Sequence, residues 1–202
     1  MKSDFLRFLI FFILIIYNPQ LNAQEWECAK DRDGIKIFTC HDTASSYKLF
    51  KGEIDLQSDV NTVSNLIEDV RNFDTWDDDI KLIKILDAEP GKHIRYYVQY
   101  AVHWPFTDRD LCVDAEITTD PATGVRIISS WSDPDAIPND PDYVRMEEYW
   151  QRWTITPVAP GKVHLTLEGY ADPAGEIPAW LSNMAITSSP MNMLKKIRET
   201  LK

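Results

Sequence analysis

The chain has little of what most enzymes and nucleic-acid binders need. It carries three cysteines in 202 residues, Cys28, Cys40 and Cys112. That is too few for a disulfide framework, and their spacing fits no zinc pattern. Basic residues are scarce: 21 Lys and Arg face 32 Asp and Glu, a formal net charge of -11. A polyanion requires a basic footprint, so nucleic acid is excluded as a partner. No nucleophile elbow, phosphate-cradling glycine loop or metal-ligand spacing occurs, and the reading calls for no cofactor. No linker, repeat or low-complexity stretch divides the chain.

Long apolar runs are also missing, with one short exception. Lys2 and Arg7 precede an unbroken apolar stretch from Phe8 to Tyr17, followed by Asn18-Pro19-Gln20 and then Leu21-Asn22-Ala23. At about 1.5 Å per residue this stretch reaches only about half of the ~30 Å hydrocarbon core. It reads as a secretory signal peptide over 1–23, which leaves one domain over 24–202 and a periplasmic or secreted destination.

The remainder alternates like strands for most of its length. Asp33-Gly34 is a hairpin signal between Cys28 and Cys40. A two-residue loop there sets Arg32 opposite Ile35 and Cys28 opposite Thr39, with the sulfurs on opposite faces. A wider loop would instead make a Cys28–Cys40 bridge feasible in an oxidising compartment. Lys48, Phe50, Gly52, Ile54 and Leu56 form a third strand, after which Ser58 or Asp59 caps a short helix containing Val63, Leu66 and Ile67. A second, broken helical turn is expected around Asp74-Thr75-Trp76. Extended structure resumes over Ile80–Leu86, turns at Pro90-Gly91, and continues with Ile94, Tyr96, Val98, Tyr100 and Val102 on one face. Further strands are expected through Leu111, Val113, Ala115 and Ile117, over Val125–Trp131, over Val144–Ile155 and over Val163–Tyr170. From Pro178 the period becomes helical, with Leu181, Met184, Met191, Leu194, Ile197 and Leu201 near one stripe and a kink expected at Pro190. The predicted class is α+β: a curved antiparallel sheet, two short helices after the third strand, and one long terminal helix across the open face.

Three stretches, in order, resemble the START domain, the lipid-transfer module related to steroidogenic acute regulatory protein, in its bacterial exported form. Lys30-Asp31-Arg32-Asp33-Gly34-Ile35-Lys36-Ile37-Phe38 resembles the opening hairpin. Trp104-Pro105-Phe106-Thr107-Asp108-Arg109-Asp110 is similar to the Pro-x-x-x-Arg-Asp loop and strand entry. Asp172-Pro173-Ala174-Gly175-Glu176-Ile177-Pro178-Ala179-Trp180-Leu181 is similar to the segment entering the last helix. The resemblance implies a helix-grip fold in which the sheet wraps the C-terminal helix and one lipid or other hydrophobic small molecule lies between them, with transient membrane contact. Sterol-binding relatives place an acid and an arginine inside the tunnel; the matching positions here are Tyr96 and Ala115, which does not supply that charged pair.

The candidate ligand contacts are Trp76, Tyr96, Trp104, Phe106, Arg109, Trp131, Trp153, Met184, Met191 and Leu194. Aromatic side chains often line pockets, flexible thioethers adapt to ligands of varied shape, and Arg109 shares strand parity with Leu111 and Val113. Each has an ordinary structural alternative: the aromatics and methionines as core, Arg109 as a buried ion pair steadying the loop after Trp104. A catalytic helix-grip protein acting on a hydrophobic substrate would draw on His41, His93, His103 or His164 with Asp108 or Asp110, but no nucleophile accompanies them. A third class, an envelope interaction module, would use the acidic stretches Asp74–Asp79 and Asp133–Asp142. The expectation carried forward is non-catalytic lipid binding. If export is correct, amino-terminal sequencing of protein from the producing cell begins at Gln24; an intact Met1 on membrane-bound protein would overturn it.

Overall fold

The computed structural model describes residues 25–41 and 45–202, so the leader expectation lies outside the described residues. Ten strands form one sheet. They are β1 (Glu27–Arg32), β2 (Ile35–His41), β3 (Lys48–Leu56), β4 (Ile80–Glu89), β5 (His93–Tyr100), β6 (Arg109–Thr119), β7 (Arg126–Ser132), β8 (Val144–Arg145), β9 (Tyr149–Ala159) and β10 (Lys162–Ala171). The spatial order is β1-β2-β3-β10-β9-β7-β6-β5-β4, antiparallel throughout, with β8 running parallel beside β6. Between β3 and β4 lie α1 (Val60–Glu68) and a 3-10 turn (Val70–Thr75); after β10 come α2 (Ala179–Ala185) and α3 (Ser188–Thr200). No helix of the described residues is long and apolar enough to cross a membrane.

Local chemistry accounts for the element boundaries. Asp33 and Gly34 both take positive φ, 56° and 74°, the conformation of a two-residue hairpin turn whose twist matches its strands. Arg32 accordingly faces Ile35. A register shift between Cys28 and Lys30 then brings Cys28 opposite Phe38 rather than Thr39. Cys28 and Cys40 are thereby diagonal neighbours, a separation of about 7–8 Å between Cα atoms that exceeds the usual disulfide reach. No bridge joins them; Cys28 is exposed, and Cys40 is buried with Leu49 and Tyr170 on the side of the sheet away from α3. Asp59 caps α1, its carboxylate accepting from the Asn61 and Thr62 amides.

Two boundaries differ from expectation. The strand expected over Val144–Ile155 is divided, because Arg145 is drawn aside to Asp110 in a two-pronged ion pair with both N–O distances at 2.8 Å. Tyr97 donates to the same carboxylate at 3.1 Å. The terminal helix is also divided, at Ile186–Thr187. A proline ring clashes with the carbonyl four residues before it, so a helix cannot run through Pro190 from Ile186. Within α3, Pro190 lies in the first turn, where its missing N–H has no intrahelical role.

Inward positions of β10 and its neighbours, Val163, Leu165, Leu167, Ile155, Trp153 and Ile54, join α1 and α3 in a single core. Helix α3 lies on β2 and β3, and it approaches closely because residue 52 has no side chain. A Cβ at Gly52 would stand 2.7 Å from Leu194 Cδ1 and 3.2 Å from Ile37 Cδ1. Gly52→Val is therefore expected to lower stability by about 1–3 kcal/mol, measured by thermal unfolding. Adding Leu194→Ala should recover part of the loss, a non-additivity expected only of touching residues. Strict additivity would mean that α3 does not seat on Gly52.

Candidate functional site

Helix α3 covers β2 and β3, while the 3-10 turn packs at β4 on the far side of the sheet. Between these covers the concave face is unfilled. An inner chamber of about 220 Å³ lies there, walled by Phe73 and Trp76 from the turn, Tyr96 and Tyr100 from β5, Tyr149 and Trp153 from β9, and Met193 from α3. Alternation explains the selection from the sheet: Tyr96 and Tyr100 share the parity of Ile94 and Val98, and Trp153 that of Ile155. Phe73 and Trp76 rings lie 5.1 Å apart, and the Tyr96 ring meets Phe73 edge-on at 6.1 Å.

A second chamber of about 280 Å³ adjoins it beneath the α2–α3 junction, lined by Tyr47, Pro173, Ser182, Asn183, Ala185, Ile186 and Pro190. Phe50, Ala171 and Ser189 line both. No residue of α2 is buried. What holds the helix over the outer chamber is largely Asn183, which accepts from the Lys48 amide at 2.9 Å and donates to the Ser46 carbonyl at 3.0 Å. Tyr47 adds a bond to the Ile177 carbonyl at 3.2 Å.

Of the ten candidate contacts, Trp76, Tyr96 and Trp153 line the inner chamber. The other seven line neither chamber. Trp104 is 92% exposed, at a cis peptide with Pro105, and Phe106 is half-buried in the same loop. Trp131 lies opposite Trp150, which packs in the cluster away from α3. Met184 is 69% exposed on α2; Met191 packs at the edge of the core, and Leu194 is fully buried over Gly52. Arg109 is buried, and it donates to the carbonyls of Thr107, Pro173 (2.9 Å) and Ala174 (3.0 Å). It ties the Trp104 loop to the segment entering α2. This is the structural alternative, with backbone carbonyls in place of a carboxylate.

Met193, weighed with Met184 and Met191 as an adaptable thioether, lines the inner chamber. Several other chamber residues escaped the sequence reading. Phe50 and Tyr100 lie on stretches already assigned, and strand period alone does not separate chamber from core. Tyr149 shares the parity of Trp153 and Ile155, a signal that could have found it. Asp77 was read as part of a solvated acidic stretch, yet it lines the chamber beside Trp76, an adjacency that could have marked it. Burial pushes the Asp77 carboxyl up, with Asp79 and Asp78 adding to the shift and the bond from the Asp79 amide opposing it. Burial likewise pushes up the phenols of Tyr96, Tyr100 and Tyr149.

None of the four histidines lines either chamber. His93 pairs with Asp114 at 2.6 Å and His164 with Asp55 at 2.8 Å, while His41 and His103 are exposed. Asp108 is bound by Lys81 and the Val102 amide, and Asp110 by Arg145. The described residues contain no cluster of His, Cys, Asp and Glu able to hold a metal ion.

The START domain family model matches residues 18–202. An uncharacterized protein of Pseudomonas aeruginosa is 32% identical over 177 residues, covering 87% of this chain and 86% of that one. Bovine phosphatidylcholine transfer protein is 22% identical over 187 residues, covering 89% and 85%. The crystal structure of a STAR-related lipid transfer protein from Xanthomonas axonopodis is similar with a TM-score of 0.80 and 28% identity, covering 87% of this chain and 98% of that one.

Proposed function

We propose that this chain, which belongs to the START domain family, holds one lipid in its two joined chambers and carries it between membranes without changing it chemically. The observation that bears most weight is that the two chambers share Phe50, Ala171 and Ser189 as lining, the second lying beneath a helix that buries none of its residues. Burying an acyl chain contributes about 0.8 kcal/mol per methylene. A chain extending through both chambers is thus retained without a charged contact. Entry requires α2 to lift, which breaks the Asn183 and Tyr47 bonds while the sheet ladder stays intact. The absence of any histidine from the chamber walls favours carriage over catalysis. Carriage takes place outside the cytoplasm, in the form beginning at Gln24.

Membrane contact occurs at the α2 end. Trp104, Trp180 and Met184 are 92%, 65% and 69% exposed, and Arg109 ties the loop of the first to the segment leading to the other two. Tryptophan favours the boundary between hydrocarbon and water. A net charge of -11 opposes an anionic surface, so the partner is a bilayer of zwitterionic lipid met by the aromatic tips.

Two measurements test these readings. Ser189→Trp places a large side chain where the chambers meet. Lipid recovered with the purified protein should fall at least about fivefold, while the lipid-free protein should melt within a few degrees of wild type. Full loading with a clearly lowered melting temperature, the response of a packed site that loses about 1–3 kcal/mol, would show that this space is ordinary core. The pair Trp104→Ala and Trp180→Ala should reduce co-sedimentation with phosphatidylcholine vesicles about tenfold, equivalent to ~1.4 kcal/mol. Undiminished co-sedimentation would place the contact elsewhere.

A further inference from the structure

Asp77, Tyr96, Tyr100, Tyr149, Gln151 and Ser189 are the polar and phenolic residues that line the inner chamber, and all of them are acidic or neutral. Tyr96 is only 6% exposed, yet its hydroxyl has no hydrogen-bond partner among the described residues, and the residue lines the chamber. The hydroxyls of Tyr100 and Tyr149 are equally without partners there. One Asp77 oxygen accepts from the Asp79 amide at 3.1 Å, and the other has no partner among the described residues. Buried polar groups ordinarily find partners, and several unmet ones facing a single cavity mark a place completed by something else.

Among the described residues no Lys, Arg or His lines either chamber. A phosphate or carboxylate brought to Asp77 would meet a like charge, with only the neutral donors of the tyrosine hydroxyls and the Gln151 amide to offset its desolvation. We propose that this end of the chamber is a headgroup site for a protonated amine, so that the cargo is a lipid whose buried end is a primary ammonium. Its N–H donors reach the unmet Asp77 oxygen and the tyrosine oxygens together, in charge-assisted bonds. Trp76 and Phe73 border the same space, and aromatic rings attract a nearby cation. An alcohol brings one donor and leaves the carboxylate uncompensated. A quaternary ammonium brings charge but no N–H. The inference rests on the chambers being the lipid site.

The test is calorimetric titration of the mature protein, in about 0.15 M salt to screen its acidic exterior, with four probes that share one chain: dodecylamine, dodecanol, dodecanoate and dodecyltrimethylammonium. Dodecylamine should bind about tenfold more tightly than dodecanol and dodecyltrimethylammonium, with dodecanoate weakest. Asp77→Asn should remove that preference by weakening dodecylamine and not dodecanol, for which no uncompensated carboxylate then remains. Tyr100→Phe, which deletes one oxygen and keeps the ring, should reduce the preference by about threefold. Dodecanol or dodecyltrimethylammonium binding as tightly as dodecylamine would overturn the proposal, as would an unchanged preference in Asp77→Asn. Failure of all four probes to bind would instead defeat the reading of the chambers as a lipid site, and the inference with it.

Discussion

The close approach of α3 to the sheet at Gly52 governs the rest of the architecture. A helix seated on β3 through Leu194 and Ile37 covers one flank of the concave face. Its axis then cannot also serve β5 and β6, across the width of β10, β9 and β7. On that second flank the 3-10 turn packs at β4, with Trp76 beside it in the core. Interiors fill to crystal-like density where side chains can reach. Here the spacing set on one side leaves a space that the aromatic residues border without closing. The chamber is thus a consequence of where the helix is pinned, and its shape belongs to the backbone as much as to its lining.

Polar networks divide their labour around that space. On one edge, Asp110, Arg145 and Tyr97 tie β5, β6 and β8 together with nearly ideal geometry. At the open end, Arg109 gathers three carbonyls from two segments. Neighbouring residues in the chain, Arg109 and Asp110, therefore point to different tasks on opposite faces of one strand. Inside the chamber Trp153 donates to Gln151, while the hydroxyls of Tyr96, Tyr100 and Tyr149 are left unmet among the described residues. Satisfied networks at the rim thus contrast with unsatisfied hydroxyls within.

Much of the fold could be read from residue order. Strand period, the Asp33-Gly34 turn and the Asp59 cap act locally, so the β-rich middle, the two short helical pieces after β3 and the terminal helical region were legible. What was not legible depends on contacts between distant residues. The start of β9 is set by Arg145 finding Asp110, and the Cys28 register is set by a bulge. Pro190 announced a break, but only the clash with Ile186 fixes where it falls. The site was read less well for the same reason. Trp76, Tyr96 and Trp153 were accessible from parity and aromatic character, whereas Trp104, Trp131 and Met184 have the same composition and face outward. Arg109 had the right parity for the interior and was captured by carbonyls at its edge. Asp77 was concealed among three consecutive aspartates, two of which are exposed.

Helix α2 buries no residue and hangs from a few hydrogen bonds, and this has a bearing on how the molecule ages and evolves. The free energy of a local opening is set by the contacts of the part that opens, and the free energy of unfolding by the core. In this chain those two quantities draw on nearly separate residues: Asn183 and Tyr47 for the first, Leu194, Ile197 and the inward strand positions for the second. The ease with which α2 opens can therefore change by substitution at one end while the lifetime of the folded state is preserved at the other.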